Sequence, residues 1–261
     1  GTPITLSANP RDPGSADTHT FVWTITRDGN PFAVPPGSAQ SLTFTPPDDG
    51  VYVVSLQATD NNGSVGAASP VTINVANVAP TILPGNIMLK DAAGNPLAIP
   101  SGDSLQVIAE GAPLTLEGTF TDPGTEAHTV IITWNHGKAG EAAQQTTLNL
   151  APGVTTFNAT HAYIDDNPTA TIRDPYTISV RVEDADMAAS TASKTLHVAN
   201  ALPMPRIIDN STSTMVNLTV EENDPGNTDT FTYAWTWTAD GVISTATTKS
   251  ISFAVPADRA A

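Results

Sequence analysis

Asp174-Pro175-Tyr176-Thr177-Ile178-Ser179-Val180-Arg181-Val182-Glu183-Asp184 is the stretch on which the reading of the fold turns. Tyr176, Ile178, Val180 and Val182 take every second position, with Thr177, Ser179, Arg181 and Glu183 between them. Successive side chains of an extended chain point to opposite faces, so this alternation is that of a half-buried antiparallel strand. The stretch has an earlier copy, Asp49-Gly50-Val51-Tyr52-Val53-Val54-Ser55-Leu56-Gln57-Ala58-Thr59-Asp60, with Tyr52, Val54, Leu56 and Ala58 on one face. Each copy leads through a last strand to a near-identical exit, Val75-Ala76-Asn77-Val78-Ala79-Pro80 and Val198-Ala199-Asn200-Ala201-Leu202-Pro203. The proline has no N–H to give to a ladder and ends the strand.

Upstream, Asp-Pro-Gly occurs at residues 12–14, 122–124 and 224–226, each time six residues after a leucine (Leu6, Leu116, Leu218). An aromatic or aliphatic strand follows each: Phe21, Trp23, Ile25; Val130, Ile132, Trp134; Tyr233, Trp235, Trp237. A recurring period of this kind marks modules in series. The boundaries expected are 1–79, 80–202 (with insertions at about 81–110 and 138–170) and 203–261. The first repeat lacks what precedes Gly111 in the second, and the third stops before a tyrosine strand. The chain therefore reads as a window on a longer array, and the third repeat is expected to be poorly stable unless another segment supplies strands.

Composition agrees with β structure and narrows function. Thr, Val, Ile, Pro and Gly punctuate 261 residues at short intervals, and there is no convincing helical period. Ten Lys and Arg stand against 26 Asp and Glu, a net charge of −16. That argues against nucleic acid and anionic membranes, which need cations. No apolar run suits a membrane-spanning helix, and no signal peptide pattern opens the sequence. With Cys at 0, disulfides and thiol chemistry are excluded.

Trp134-Asn135-His136-Gly137, Thr160-His161-Ala162-Tyr163 and the stretch 176–184, following Asp-Pro-Gly, resemble the polycystic kidney disease (PKD) domain family of large bacterial surface and secreted proteins. The resemblance implies an all-β chain of tandem immunoglobulin-like (PKD-type) β-sandwich domains, the terminal ones incomplete, with about seven strands each. It also implies spacers or protein- and carbohydrate-binding modules, some of which bind calcium. The family's usual Trp-Gly-Asp-Gly is here Trp134-Asn135-His136-Gly137, and the other repeats keep only Asp28-Gly29 and Asp240-Gly241.

Carboxylates are the best functional signal. Asp12, Asp17 and Asp60 in the first repeat, Asp122, Glu126 and Asp184 in the second, and Asp224 and Asp229 in the third fall at matching positions. A loop leaving one strand and the end of another can meet at one pole of a sandwich, where two or three hard oxygens plus carbonyls and water could hold Ca²⁺. Against this stands ordinary turn chemistry, since Asp initiates turns; Asp184-Ala185-Asp186 reads as the weaker turn. Trp23, Ile132 and Trp235 read as core. His19 and His128 are equivalent, and Phe231 replaces them in the third repeat, so the position is structural. His161, preceding Tyr163, reads as a strand-entry residue, and His197 as pointing outward. Zinc spacing, catalytic motifs and a repeated lysine for an isopeptide bond are missing. Sequons at Asn62, Asn158, Asn210 and Asn217 are what chance provides in a chain rich in Thr and Ser.

The expected function is a non-enzymatic spacer segment of an extracellular, cell-surface repeat protein, with neighbouring repeats as partners. A binding module for a surface protein or polysaccharide would need exposed aromatics, for which Phe32, Phe157 and Tyr163 are the candidates. Self-association into a lattice or filament by strand addition is the third reading.

Overall fold

The computed structural model describes residues 1–12, 17–34, 39–135, 143–166, 171–226, 229–239 and 241–255. His136, Gly137, Lys138, Asp240 and the Pro13-Gly14 pair lie outside them. The described residues form strands and one short 3₁₀ turn, Pro84–Asn86.

The two alternating stretches become the central strands of two five-stranded sheets. The first group comprises β1 (Ile4–Ser7), β2 (His19–Arg27), β3 (Asn30–Phe32), β4 (Ser41–Phe44), β5 (Gly50–Asp60), β6 (Val65–Ala67) and β7 (Val71–Val75). β1 pairs with β4, and the facing sheet runs β3-β2-β5-β6 with β7 also on β5. Asp28 and Gly29, both at positive φ, close the β2–β3 hairpin in the two-residue turn that suits the twist of the strands.

The second group comprises β8 (Ile87–Lys90), β9 (Gln106–Ala109), β10 (Pro113–Thr119), β11 (His128–Trp134), β12 (Gln144–Leu150), β13 (Thr156–Ala162), β14 (Arg173–Glu183) and β15 (Ala189–Ala199). Its sheets run β13-β10-β8 and β12-β11-β14-β15-β9, with β9 parallel to β15. β10 pairs with β13 as β1 does with β4, and β11 with β14 as β2 does with β5. β15 runs unbroken along β14, whereas β6 and β7 share the same side of β5. Pro70 lies between those two strands and has no N–H to pair, which accounts for the break.

The third group comprises β16 (Arg206–Asp209), β17 (Met215–Glu221), β18 (Trp235–Ala239), β19 (Val242–Ala246) and β20 (Ser250–Ala254). The order β16-β17-β20 repeats β8-β10-β13, and β18–β19 repeats β11–β12. The chain is thus all-β, with immunoglobulin-like sandwich architecture. The stretches expected to be insertions turn out to be framework. Residues 81–110 supply β8 and β9, which pair with β10 and β15, and 138–170 contains β12 and β13, lengthened counterparts of β3 and β4.

Inward-facing residues build the cores. Ile25, Leu42, Phe44, Tyr52 and Val54 form the first, with Trp23 packed against it. Leu89, Leu116, Ile132, Trp134, Tyr176, Ile178 and Val180 lie at the heart of the second. Tyr52 and Tyr176 each bury the ring and donate the hydroxyl to a backbone carbonyl upstream, Asp48 and Asp165 respectively, both at 2.9 Å. The three aromatics expected as a binding platform are core instead. Phe157 and Tyr163 are buried, and Phe32 packs on Phe44 and Tyr52, because an alternating sandwich takes large apolar rings inward. His161 does not lead into a strand. It is the last residue but one of β13 and stacks on Trp134 with ring centroids 4.7 Å apart.

Candidate functional site

In the first two repeats the acids of the Asp-Pro-Gly loop and of the end of the tyrosine strand come together. Carboxylate oxygens of Asp12, Asp17 and Asp60 lie within 4.8 Å of one another, and so do those of Asp122, Glu126 and Asp184. Asp224 and Asp229 gather in the same way with Glu110, which also clusters with Asp165 and Asp166. The sequence pattern had picked out the residues of the first two sets and two of the three in the third.

The loops are held by their own acids. Asp60 Oδ1 accepts the amides of Asn62 and Ser64 at 2.8 Å each, and these bonds, Ser64 foremost, hold its carboxyl below the usual range. Asp184 Oδ1 accepts the amide of Ala188 at 2.8 Å, with Met187 at positive φ, so the turn after Asp184 is as well defined as that after Asp60. Asp122 Oδ1 accepts the amide of Gly124 at 2.7 Å, and Asp224 Oδ1 accepts that of Gly226 at 2.9 Å. His128 Nε2 and His19 Nε2 lie 3.2 and 3.3 Å from Asp122 Oδ2 and Asp12 Oδ2, so this histidine position orients the loop aspartate.

Two of the clusters sit where one strand group meets the next. At the first junction the side chain of Asn77, in the segment leaving β7, donates to Asp184 Oδ2 at 2.8 Å. Asp48, in the loop before β5, has Oδ2 held by Arg27 at 3.0 Å. A methyl group placed on Gly124 would lie 2.9 Å from Asp48 Oδ1, 3.0 Å from Glu126 Oε1 and 3.1 Å from Asp122 Oδ1. Oxygens from both groups therefore surround the space that the missing side chain leaves. A cleft of about 590 Å³ opens here, lined by Asp48, Asp49, Asn77, Pro123 and Gly124 among others.

The second junction repeats the plan. A methyl group on Gly226 would lie 2.7 Å from Asp229 Oδ2 and 3.1 Å from Glu110 Oε1. Gly111, at positive φ, leaves room for Pro225, since a Cβ there would lie 2.4 Å from the proline. Glu110 is almost wholly buried between β9 and β10, accepting the amides of Ala201 at 2.9 Å and Asp166 at 3.0 Å. Each residue of Asp-Pro-Gly thus has a task at this junction: the aspartate turns the loop, the proline meets the preceding group, and the glycine clears space for carboxylates.

The charge is poorly offset. Glu110, Glu126, Asp166, Asp184, Asp224 and Asp229 form no salt bridge with a described Lys, Arg or His. Burial, then the charges of Asp48 and Asp184, push the Glu126 carboxyl up to about 7. Burial also raises Glu110, Asp166 and Asp229, each with neighbouring carboxylates adding to the rise. Glu126 Oε1, Asp166 Oδ2 and Asp224 Oδ2 are buried without a hydrogen-bond partner.

Asp48, Glu110, Asp165 and Asp166 went unread in the sequence. A signal was present, because Asp48-Asp49 and Asp165-Asp166 both precede a tyrosine strand, but nine residues separate the second pair from Tyr176 and hide the match. His197, read as outward-facing, meets Asp103 at 2.8 Å.

No protein-family model and no curated protein matches the chain. Among solved structures it is similar to the fibronectin(III)-like modules of Clostridium thermocellum CbhA (16% identity, 76% of this chain and 85% of that one, TM-score 0.27). It is similar also to Bacteroides uniformis beta-glucuronidase 2 (12%, 78% and 26%, TM-score 0.30) and to human CDH23 EC21-23 (16%, 80% and 68%, TM-score 0.24). At these TM-scores the likenesses carry nothing about ligand or activity, and the fold assignment rests on the sheet pairings. No helix among the described residues is long and apolar enough to cross a membrane.

Proposed function

We propose that the chain is a non-enzymatic spacer: immunoglobulin-like modules in series, of the PKD type that the motifs resemble, in an extracellular or cell-surface protein. Residues 1–79, 80–202 and 203–261 are its three modules. The observation that carries the reading is the repeated junction, where Asp-Pro-Gly of one module meets the loops of the module before it at both boundaries. Repetition of a contact at each step is what a one-dimensional stack requires, since every module touches only its neighbours. The recurrence of the acidic residues points the same way, because an active site has no need of copies. Solution scattering on the whole chain over a range of concentrations tests this. An elongated particle of constant monomer mass is expected. Mass rising with concentration would favour self-association, and a compact particle would refute the spacer.

A further inference from the structure

We propose that both junctions are Ca²⁺ sites that bridge successive modules: one cation shared by Asp48, Asp122, Glu126 and Asp184, and a second shared by Glu110, Asp224 and Asp229, the triad that Glu110 joins to Asp165 and Asp166. This goes beyond the spacer reading, since a stack can exist without any ion.

Two observations converge on a ligand. At the first junction Glu126 is nine-tenths buried and its Oε1 has no hydrogen-bond partner. That oxygen faces the same point beside Gly124 that Asp48 Oδ1 and Asp122 Oδ1 face, at about 3 Å each. At the second junction the buried Asp224 Oδ2 is unpartnered, and so is Oδ2 of Asp166, 5% exposed, in the adjoining triad that shares Glu110. A buried carboxylate oxygen without a donor is costly unless something positive reaches it. No described Lys or Arg does so at Glu126, Asp166 or Asp224, and a bound cation would supply the compensating charge.

The donor set selects the ion. All the ligands are carboxylate oxygens, which suit hard cations rather than zinc or copper. Oxygens of each triad lie within 4.8 Å of one another. Two oxygens on opposite sides of Ca²⁺ span about 4.6–5.2 Å, whereas Mg²⁺ would draw them to about 4.0–4.2 Å and demands a stricter octahedron. That limit admits Ca²⁺, whose flexible coordination asks less of the clusters than the Mg²⁺ octahedron does. Asp12, Asp17 and Asp60 are not included, because they belong to one module and none of them is nine-tenths buried.

The bridge has a consequence that a site within one module would lack: residues on both sides of a boundary control one ion. The test is calorimetric titration of the whole chain with CaCl₂ after chelator treatment, with circular dichroism as the folding control. Wild type is expected to take up an equivalent at each junction at about 1 mM Ca²⁺ or below. Asp48→Asn and Glu126→Gln lie on opposite sides of the first boundary, and each should weaken the same equivalent by about 10-fold or more while sparing the other. Glu110→Gln and Asp224→Asn should do the same at the second boundary. Asp91→Asn, at an exposed turn whose aspartate belongs to neither cluster, should change nothing. In parallel, Ca²⁺ but not Mg²⁺ should slow proteolysis around residues 77–80 and 200–205. Absence of binding by folded wild type at millimolar Ca²⁺ would overturn the proposal. So would unaltered binding in Asp48→Asn and Glu110→Gln, which would place any ion within a single module.

Discussion

The middle and third strand groups share one plan and differ in what the plan encloses. In the middle group β14 lies between β11 and β15, and the residues of its inward face, Tyr176, Ile178, Val180 and Val182, are at most 1% exposed. In the third group β18 pairs only with β19 among the described residues, and Ile251 alone is a buried hydrophobic. Trp235 and Trp237 are half-exposed, and a cleft of about 350 Å³ runs between Pro205, Ile207, Val220, Phe231 and Trp235. Strand order alone therefore does not bury a core. Stability comes from the area that two closed sheets remove from water, about 25 cal/mol per Å².

The comparison can be broken by hydrogen exchange. Amides of β11 and β14 are expected to be the slowest in the chain and those of β18 and β19 to exchange orders of magnitude faster, as local opening dictates. Equal protection in the two groups would mean that the third is closed by something else. Next in size, Trp134→Ala should cost about 3–5 kcal/mol in urea unfolding, because the ring is fully buried and its Nε1–H bonds to Thr146. Trp237→Ala, which removes a half-exposed ring stacked on Phe253, should cost only about 1 kcal/mol.

The junctions give a smaller and sharper contrast. Gly124→Ala should cost about 1–3 kcal/mol by pressing a methyl group onto three carboxylate oxygens, whereas Gly85→Ala, with open space around it, should be close to neutral. The least effect concerns acid. Asp103 is pulled up by burial, but bonds from His197, the amides of Leu105 and Ser104, and Arg173 outweigh this and hold its carboxyl at about 2. A depressed carboxylate stabilises above its unfolded value and loses that contribution as pH falls. Stability should therefore drop between about pH 4 and pH 2, and Asp103→Asn should flatten the profile in that window alone.

Much of this was legible in the residues. Alternation at 49–60 and 174–184 identified the central strands, since period two has one structural meaning. The threefold Asp-Pro-Gly revealed the repeats and pointed to the poles where Asp12, Asp17 and Asp60, and Asp122, Glu126 and Asp184, come together. The aromatic candidates Phe32, Phe157 and Tyr163 were misplaced because position between strand patterns says nothing about which way a ring turns. Glu110, Asp48 and Asp166 were missed because each is brought to its cluster from a distant part of the chain.

What the sequence alone determined is local and periodic: β character, the faces of the two long alternating strands, the turns and the repeat. Those follow from backbone geometry over a few residues. What only the tertiary structure decided is where one repeat's loops meet the next, so that carboxylates 74 or more positions apart (Asp48 with Asp122 and Glu126) face one point beside a glycine. Coulomb interaction and burial depend on separation in space, which chain order does not encode.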